Sequence, residues 1–327
     1  MAEKMNNKIK NFLNLIRVRQ YYKNVLIFLG IILSGNIFSF QFYPGLLTGF
    51  LLLCLTSSLN YIINDIRDIE EDKQHPEKLK KKPLASGEIS LRAAYGLLIL
   101  FVIIIIGSLL FLVPNPIFAL YLGIMFITGQ LYTHIFKHYA FLDILTLALG
   151  YIWRTLAGCI LINQPYVSAW LILAIYEVAL FLVIAKRKGD LIAMGSKENA
   201  IKHKKIYNSY SKNLLDQFHV ITAGAIFITY SIYLIFKFDL DFNNISEINF
   251  HFFEYLSIIT IPIVLYILMR YMYLTSAKPE IARNPEKAFF DKGILVGGLL
   301  FGLILLNAFY YNEIYAILEV FFNIFFN

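Results

Sequence analysis

Residues 64–72 read Asn-Asp-Ile-Arg-Asp-Ile-Glu-Glu-Asp, and they close an uncharged run that begins at Asn24. A membrane helix needs about 20 apolar residues, so this run predicts two spans, divided where Pro44-Gly45 breaks the chain. Carboxylates gathered where an apolar helix meets water are costly and call for a specific partner. The stretch therefore indicates a helical membrane protein with a functional site at the membrane surface.

The spacing of the carboxylates suggests which partner they have. Asp65, Asp68 and Asp72 stand at i, i+3 and i+7, which places them on one face of a helix. Like charges on one face repel one another, so a cation between them is expected. We predict Mg²⁺, which bridges carboxylates to a substrate's phosphates, with Asn64 as a neutral oxygen ligand on the same face. The alternative is a solvated acidic helix end, a common surface pattern.

The composition supports a membrane protein. The chain has 327 residues, of which 58% are hydrophobic and 16% charged, and its mean hydropathy is +0.64. A soluble domain of this size is not expected to be so apolar. Its two cysteines, Cys54 and Cys159, lie in apolar segments without a metal-binding spacing. The basic start of the chain is interpreted as a retained segment rather than a signal peptide.

The apolar pattern predicts an all-α fold with nine transmembrane helices in one integral membrane domain, residues 1–327. A basic amphipathic segment, residues 1–23, precedes the spans in 24–311, and an amphipathic tail, residues 312–327, follows them along the opposite surface. The predicted spans are 24–42, 45–68, two within 93–136, one beginning at 143, and 168–185, 217–236, 255–272 and 292–311.

The basic residues predict the orientation. All but two of the 29 Lys and Arg residues fall in segments that nine spans place on the same side as the N-terminus. The positive-inside rule then predicts a multi-pass plasma-membrane protein with a cytoplasmic N-terminus. Because the net charge of +7 follows this topology, we expect no nucleic-acid partner.

A second polar loop, residues 186–216, is predicted on the same face as the acidic loop. Topology accounts for most of its lysines. It does not account for Asp190 one turn after Lys186-Arg187, which suits a phosphate-rich ligand with a second metal contact. The candidate substrate-binding residues here are Lys186, Arg187, Asp190, Tyr210 and Lys212.

Further candidates lie outside these two loops. Arg154 is inside an apolar helix, where it either faces a cavity or pairs with Glu177. His75 is the one histidine for which we expect substrate contact, and Lys78 belongs to the basic run behind it. The segment before the first span offers anion donors suited to a lipid phosphate, with interfacial anchoring as the alternative. These donors are Arg19, Gln20, Lys23 and Asn24.

The Asn64-Asp65-x-x-Asp68-x-x-x-Asp72 block resembles the first aspartate motif of the UbiA superfamily of membrane prenyltransferases. Further blocks between Arg17 and about Asp216 are similar to the decaprenyl-phosphate phosphoribosyltransferases within that superfamily. These blocks are Arg17-x-Arg19-Gln20-Tyr21-x-Lys23-Asn24, His75-Pro76-x-Lys78, Pro83-x-Ala85-Ser86-Gly87, Gly150-Tyr151-x-x-Arg154-x-x-Ala157-Gly158 and Lys186-Arg187-x-x-Asp190-Leu191.

The resemblance implies transfer of 5-phosphoribose from phosphoribosyl diphosphate to a polyprenyl phosphate, with release of diphosphate. It implies Mg²⁺ on the leaving diphosphate, held by Asn64 and by the catalytic Asp65, Asp68 and Asp72. The other implied contacts are of two kinds. Those to the donor's phosphates are Lys186, Arg187, Tyr210 and Lys212, and those to the lipid phosphate are Arg19, Lys23 and Arg154.

Two alternatives stay open. An aromatic prenyltransferase of the same fold would use a prenyl diphosphate, but the second D-x-x-x-D motif of that branch is missing after the sixth predicted helix. A transporter or lipid-binding protein would place its polar residues near the bilayer midplane, whereas most here lie at the predicted cytoplasmic edge. The sequence leaves open the prenyl chain length, the pathway that uses the product and whether the chain forms a homo-oligomer.

Overall fold

A computed structural model describes residues 2–73, 79, 82–163, 167–203, 205–240 and 252–326. The described chain is helical and contains no β-strand, which confirms the predicted fold class. It forms two compact units. The first unit contains Met1–Lys137 and Gly150–Tyr166, and the second contains His138–Leu149 and Val167–Asn327.

The helices of the first unit follow one another along the chain. They are α1 (Ala2–Leu15), α2 (Leu29–Leu33), α3 (Tyr43–Arg67), α4 (Ile69–Lys73), α5 (Leu91–Phe111) and α6 (Pro116–His134), with 3₁₀ helices at Val18–Phe28, Phe40–Phe42 and Phe136–His138. The next helix, α7 (Leu142–Leu161), begins in residues of the second unit and ends in residues of the first.

The second unit contains long helices joined by short ones. They are α8 (Ala169–Ala193), α9 (Lys197–His203), α10 (Lys212–Phe238), α11 (Phe252–Leu256), α12 (Thr260–Ala277), α13 (Pro279–Arg283) and α14 (Lys292–Phe326), with 3₁₀ helices at Lys205–Asn208, Ser257–Ile259 and Pro285–Phe290.

Eight helical segments in the described part of the chain are long and apolar enough to cross a membrane. They are Phe40–Arg67, Leu91–Phe111, Pro116–His134, Leu142–Leu161, Ala169–Ala193, Lys212–Phe238, Phe252–Ala277 and Lys292–Glu319. The outward face of α5 shows the expected character, because Ile99, Ile103 and Leu110 are more than half exposed. Such a face suits lipid, and the protein is a multi-pass membrane protein.

The first predicted span, 24–42, differs from the expected α-helix. The 3₁₀ helix Val18–Phe28 leads into the short α2 instead. At about 2.0 Å per 3₁₀ residue and 1.5 Å per α-residue, the two segments extend roughly 30 Å, the thickness of a bilayer core. They run antiparallel to α3, since Tyr21 hydroxyl lies 2.8 Å from Ser58 Oγ and Asn24 donates to Cys54 Sγ at 3.2 Å. The 3₁₀ helix therefore packs along α3, and the predicted first span is not one continuous helix.

Close backbone packing explains two glycines beside this irregular segment. A Cβ atom at Gly30 would lie 2.9 Å from Cys159 Sγ, and one at Gly158 would overlap the Ile27 carbonyl oxygen. Gly158 therefore lets α7 approach the backbone near Ile27. This contact sets the position of α7 along the irregular segment, and it thereby brings Arg154 beside Asn24.

Two helix ends also differ from the prediction. α8 continues eight residues past the predicted end of its span at 185, so Lys186, Arg187 and Asp190 lie on a helix and not in a loop. Lys, Arg, Leu and Ala are good helix formers, and a helix need not stop where the hydrocarbon ends. At the C-terminus, the predicted last span and tail form one helix, α14, instead of two separate elements. This helix has a kink at Tyr310 (φ −133°, ψ 19°), next to the predicted boundary.

Each unit has its own apolar core. In the first unit, α3 packs on α5 and α6, and Leu46, Phe118 and Leu122 are buried there. In the second unit, α8 packs along α10 and against α13, with Phe181 and Ile226 buried. Between membrane helices, close packing of such side chains provides the stabilisation, because lipid is as apolar as the core itself. These cores give α3 and α8 the fixed positions from which their polar ends project.

Candidate active site

The aspartate motif lies where α3 ends. α3 stops at Arg67, Asp68 follows as its C-cap (φ −89°, ψ 9°), and Asp72 lies on the short helix α4. Backbone bonds continue across the break, because Asp72 N–H donates to the Asp68 carbonyl oxygen at 2.8 Å. The three carboxylates thus occupy two helical segments, instead of the single uninterrupted helix that the spacing predicts.

One lysine joins the two buried aspartates. Asp65 and Asp72 are almost fully buried, at 2% and 0% exposure. Lys82 Nζ lies 3.1 Å from Asp65 Oδ1 and also pairs with Asp72 Oδ2. The cation that the spacing requires between the carboxylates is here a side chain of the protein itself.

Two more cations complete this group. Arg17 Nη2 donates to Asp65 Oδ1 at 2.6 Å, and Lys137 Nζ lies 3.1 Å from Asp68 Oδ1. Three carboxylates are therefore matched by three basic side chains from three other segments. We call this group the aspartate cluster: Asp65, Asp68, Asp72, Arg17, Lys82 and Lys137.

Arg17 reaches the cluster from an unusual backbone position. It adopts a left-handed conformation (φ 54°, ψ 48°) between α1 and the 3₁₀ helix, which few residues other than glycine do. Its guanidinium lies over the Tyr61 ring, 4.5 Å from the ring centroid, while donating to Asp65. This strained turn aims the side chain at the end of α3, and such strain is often found at functional sites.

Arg67 ties the end of α3 to the end of α6. It donates to the Thr133 carbonyl oxygen at 3.1 Å and contacts His134 Nδ1. The 3₁₀ helix that carries Lys137 directly follows α6. The contacts of Arg67 therefore hold Lys137 beside Asp68.

The cluster's donor set suits a divalent cation, although no metal site is preformed. Among the described residues, no three His, Cys, Asp or Glu side chains converge as metal ligands. Two carboxylates do converge, because Asp65 and Asp72 share the Lys82 ammonium, which stands in for a cation between them. Mg²⁺ is typically held by one or two carboxylates, with waters and substrate phosphates completing its shell. Asn64, the neutral ligand that the sequence predicts, is partly buried at the end of α3.

A second polar group lies deeper in the first unit. Arg154 Nε donates to Asn24 Oδ1 at 2.7 Å, and its Nη1 bonds to the Gly150 carbonyl oxygen. Ser57 also donates to Asn24 Oδ1, at 3.4 Å. Within the described part of its own unit, Arg154 forms no ion pair. A guanidinium inside a membrane segment that is solvated only by neutral oxygens is an expected anion site.

In the second unit, Arg187 is part of a buried network. Its Nε donates to Asp143 Oδ2 at 2.8 Å, and Tyr210 hydroxyl donates to Asp143 Oδ1 at 2.6 Å. The Phe141 N–H donates in turn to Tyr210 Oη at 2.7 Å. Burial and the hydrogen bond to Asp143 raise the pKa of Tyr210, so it remains a neutral donor. We call Asp143, Arg187 and Tyr210 the Arg187 cluster.

Asp190 is bound by side chains of the same unit. It accepts from Tyr207 hydroxyl at 3.1 Å and from Arg283 Nε at 3.1 Å. Burial raises the pKa of Tyr207, so its hydroxyl stays protonated and donates to Asp190. Gly189 allows α13 to approach, because a Cβ atom there would lie 2.7 Å from Ala282 Cβ. Asp190 therefore joins α8 to α13 within this unit.

The other predicted contacts are less enclosed. Arg19, Lys186 and Lys212 are exposed, and Gln20 is partly exposed. Lys23 lies 5.8 Å from the Tyr22 ring centroid. His75 and Lys78 lie outside the described residues.

Sequence patterns alone do not mark three of the cluster's basic residues. Arg17 lies in a conventional basic motif, Lys82 is one of several lysines in a basic run, and Lys137 fits the topology without further explanation. Lys82 directly precedes Pro83 and the Leu84-Ala85 pair, whose burial fixes the loop. That local apolar anchor is the sequence signal that distinguishes Lys82 from the other lysines of its run.

Comparison with known proteins identifies relatives that match about two thirds of the chain. A sequence profile of the UbiA prenyltransferase family matches residues 25–241. The decaprenyl-phosphate phosphoribosyltransferase of Corynebacterium glutamicum is 25% identical over 229 residues, covering 69% of this chain and 68% of that protein. The protein of the same name from Mycolicibacterium smegmatis is 27% identical over 231 residues, covering 69% of this chain and 71% of that protein.

A solved structure shares the fold. It is a UbiA homolog from Archaeoglobus fulgidus bound to GPP and Mg²⁺, and it matches with a TM-score of 0.59 at 18% identity. The match covers 91% of this chain and 98% of the archaeal chain. At this identity, the likeness concerns the fold alone.

Proposed function

The chain belongs to the UbiA prenyltransferase family, and we propose that this transferase moves 5-phosphoribose from phosphoribosyl diphosphate to a polyprenyl phosphate. The names of the bacterial relatives support this donor and acceptor. The observation that carries the proposal is the aspartate cluster, in which three carboxylates and three basic side chains meet at one helix end, a set of groups that suits a metal and a diphosphate.

The reaction suits the groups of the cluster. An oxygen of the polyprenyl phosphate forms a bond to ribose C1 while the bond from C1 to the diphosphate oxygen breaks, and diphosphate leaves with the electron pair. The acceptor is already an anion, so orientation and electrostatic stabilisation carry most of the rate. Arg17, Lys82 and Lys137 donate to the leaving diphosphate, where negative charge accumulates.

Magnesium is part of this proposal. Bound to Asp65, Asp68 and Asp72 with help from Asn64, it would neutralise the charge that develops on the leaving group. The archaeal relative, whose structure contains Mg²⁺, supports a divalent cofactor in this fold. The same three aspartates are the catalytic residues of the proposal.

The lipid phosphate is assigned to Arg154. Among the described residues of the first unit, its guanidinium donates to the Asn24 and Gly150 oxygens and forms no ion pair, so an anion would improve its solvation. Arg19, Gln20 and Lys23, at the start of the same irregular segment, are assigned to the entrance for this headgroup. The roles of Lys186, Arg187, Asp190, Tyr210 and Lys212 in binding donor phosphates remain predictions.

The proposal includes a location. With the N-terminus in the cytoplasm, the basic segments lie on the cytoplasmic side of the plasma membrane. Phosphoribosyl diphosphate is a soluble, highly charged donor, so the aspartate cluster belongs on that side. Protease protection of an N-terminal tag in inverted vesicles tests this orientation: cleavage supports it, and protection contradicts it.

The test of the reaction uses purified protein in detergent with phosphoribosyl diphosphate and decaprenyl phosphate. Mass spectrometry should detect a phosphoribosylated lipid that forms with Mg²⁺ and disappears with a chelator. A parallel mixture contains prenyl diphosphate and an aromatic acid. A prenylated ring as the sole product would reject phosphoribosyl transfer.

That parallel mixture represents the second candidate, transfer of a prenyl chain to an aromatic ring. The GPP in the archaeal relative favours it. Against it stands the surplus of basic groups over acidic ones at the end of α8, where that branch carries a second acidic motif. A transporter would instead move lipid across vesicles without forming a product.

A further inference from the structure

The aspartate cluster is already neutralised by the protein. Each of its three carboxylates is paired with a basic side chain, and the two buried ones share Lys82. A divalent ion arriving alone would meet an ammonium in the one position where two carboxylates converge. Repulsion over a few ångströms in a partly buried site is strong.

The cluster also offers few ligands. Two converging carboxylates supply too few oxygen ligands for Mg²⁺. This ion prefers six oxygens and accepts those of substrate phosphates among them. A diphosphate would provide both the missing oxygens and a new partner for the displaced ammonium. Metal and diphosphate are therefore expected to bind together.

The side chain of Lys82 can change its partners while the backbone of its loop stays in place. The loop is anchored by Leu84 and Ala85, each 6% exposed, and by the Ser86 N–H, which donates to the Lys82 carbonyl oxygen at 3.1 Å. The side chain of Lys82 is 18% exposed, so its ammonium has a path toward solvent. A lysine has a long, flexible stem and three rotatable donors, which suits a change of partner by side-chain rotation.

We propose that Lys82 is an exchangeable counter-ion: it occupies the cation position between Asp65 and Asp72 and leaves it for a divalent ion only when a diphosphate group arrives. The inference rests on the proposed function in taking the incoming ligand as a metal-bound diphosphate. Lys82 thereby makes metal loading depend on the substrate and afterwards donates to the diphosphate. It acts as a positioning residue for the metal as well as a substrate contact.

The test measures metal alone, with neither donor nor acceptor present. Mn²⁺ is titrated into the purified protein and followed by electron paramagnetic resonance. Lys82→Met should bind Mn²⁺ at least tenfold more tightly than the wild type, because the competing ammonium is gone. Lys82→Arg keeps a cation in place and should bind Mn²⁺ as weakly as the wild type.

A matched control comes from the same stretch of chain. Lys73 pairs with the exposed Glu70 at 2.8 Å, away from the cluster. Lys73→Met removes the same charge and should leave Mn²⁺ affinity unchanged. An equal gain in Lys73→Met and Lys82→Met would show a general charge effect and overturn the proposal.

Thermal unfolding gives a second readout. The Lys82→Met variant leaves Asp65 and Asp72 short of a cation, so added Mg²⁺ should raise its melting temperature more than that of the wild type. If Lys82→Met does not fold, Lys82→Gln replaces it, since its amide removes the charge and keeps a hydrogen-bond donor for the two carboxylates.

Mn²⁺ affinity in folded Lys82→Met that equals the wild type or is weaker overturns the inference. The result is independent of the reaction, because no substrate is in the titration. Failure to form a phosphoribosylated lipid, with tighter Mn²⁺ binding in Lys82→Met, would reject the proposed function and keep the counter-ion exchange.

Discussion

In the first unit, the aspartates are held by basic side chains that reach solvent, two of them lysines, whereas in the second unit Asp143 is held by an arginine that does not. Lys82 and Lys137 are 18% and 20% exposed, and Arg187 is 6% exposed. Asp143 is fully buried, and Tyr210 also donates to it. The aspartate cluster and the Arg187 cluster thus contain similar groups in different surroundings.

The difference separates exchangeable charges from permanent ones. A lysine ammonium is compact, strongly hydrated and mobile, so it can give up a carboxylate to another cation. A buried arginine pair is lost only at high cost, because removing one partner leaves an uncompensated charge. We therefore assign catalysis to the aspartate cluster and the support of α8 and α7 to the Arg187 cluster.

The largest effect is expected for Asp68→Asn. The substitution keeps the shape of the side chain but removes its charge, and we expect the transfer rate to fall by about 10²–10³-fold, as for loss of one electrostatic group in an active site. The rate of phosphoribosylated-lipid formation measures it. Glu70→Gln, an exposed carboxylate two residues away, is the control and should keep full activity.

The second effect concerns stability. Asp143→Asn leaves the Arg187 guanidinium buried without its carboxylate, and we expect a loss of about 3 kcal/mol in the free energy of unfolding. Denaturant unfolding in detergent measures it. A variant with wild-type stability and no transferase activity would reverse our assignment and give Arg187 the phosphate-binding role that the sequence predicts.

The third effect concerns the lipid acceptor. Arg154→Met should raise the KM for polyprenyl phosphate about tenfold, corresponding to one lost charge-assisted hydrogen bond, and leave the KM for phosphoribosyl diphosphate unchanged. Steady-state kinetics with each substrate varied in turn separates the two constants, and Arg154→Lys should recover part of the loss. A rise in the donor's KM instead would place Arg154 at the donor.

The smallest effect concerns a pair at the start of α14. Arg270 donates to Asp291 at 3.0 and 2.9 Å, and this bond lowers the pKa of Asp291 to about 2. Because that pKa is below the ordinary value near 3.9, the pair stabilises the folded state above about pH 4 and loses this contribution as the pH falls through about 2.

Between pH 5 and 9, the difference in unfolding midpoint between Asp291→Asn and the wild type should therefore be small and constant. Unfolding curves at several pH values measure it. A difference that already disappears at pH 5 would contradict the role of the pair.

Local sequence patterns predicted much of the fold and part of the site. Hydropathy predicted eight of the nine expected spans correctly within the described residues, because each needs about 20 apolar residues whatever its neighbours are. The spacing of Asp65, Asp68 and Asp72 predicted Mg²⁺ among them, which stays a prediction, and in the structure Lys82 lies between Asp65 and Asp72. The buried Arg154 was singled out because a charge in an apolar helix is costly.

Pairings between distant segments were not predictable in this way. Arg17 meets Asp65 through a left-handed turn that no local pattern signals, and Lys137 meets Asp68 because Arg67 joins the ends of α3 and α6. The partners of Arg187 and Asp190 depend on helix packing within the second unit. The 3₁₀ form of the first span depends on close backbone contacts near Ile27, which only the packed structure reveals.

The most direct test of the account is the stoichiometry of diphosphate release. Purified protein is mixed with Mg²⁺, phosphoribosyl diphosphate and polyprenyl phosphate, and the diphosphate and the modified lipid are quantified in the same sample. We predict one diphosphate for each phosphoribosylated lipid, and none when the lipid or Mg²⁺ is omitted or when the protein is Asp68→Asn. Diphosphate released without the lipid, or lipid left unmodified while a prenyl diphosphate is consumed, would contradict phosphoribosyl transfer at the aspartate cluster.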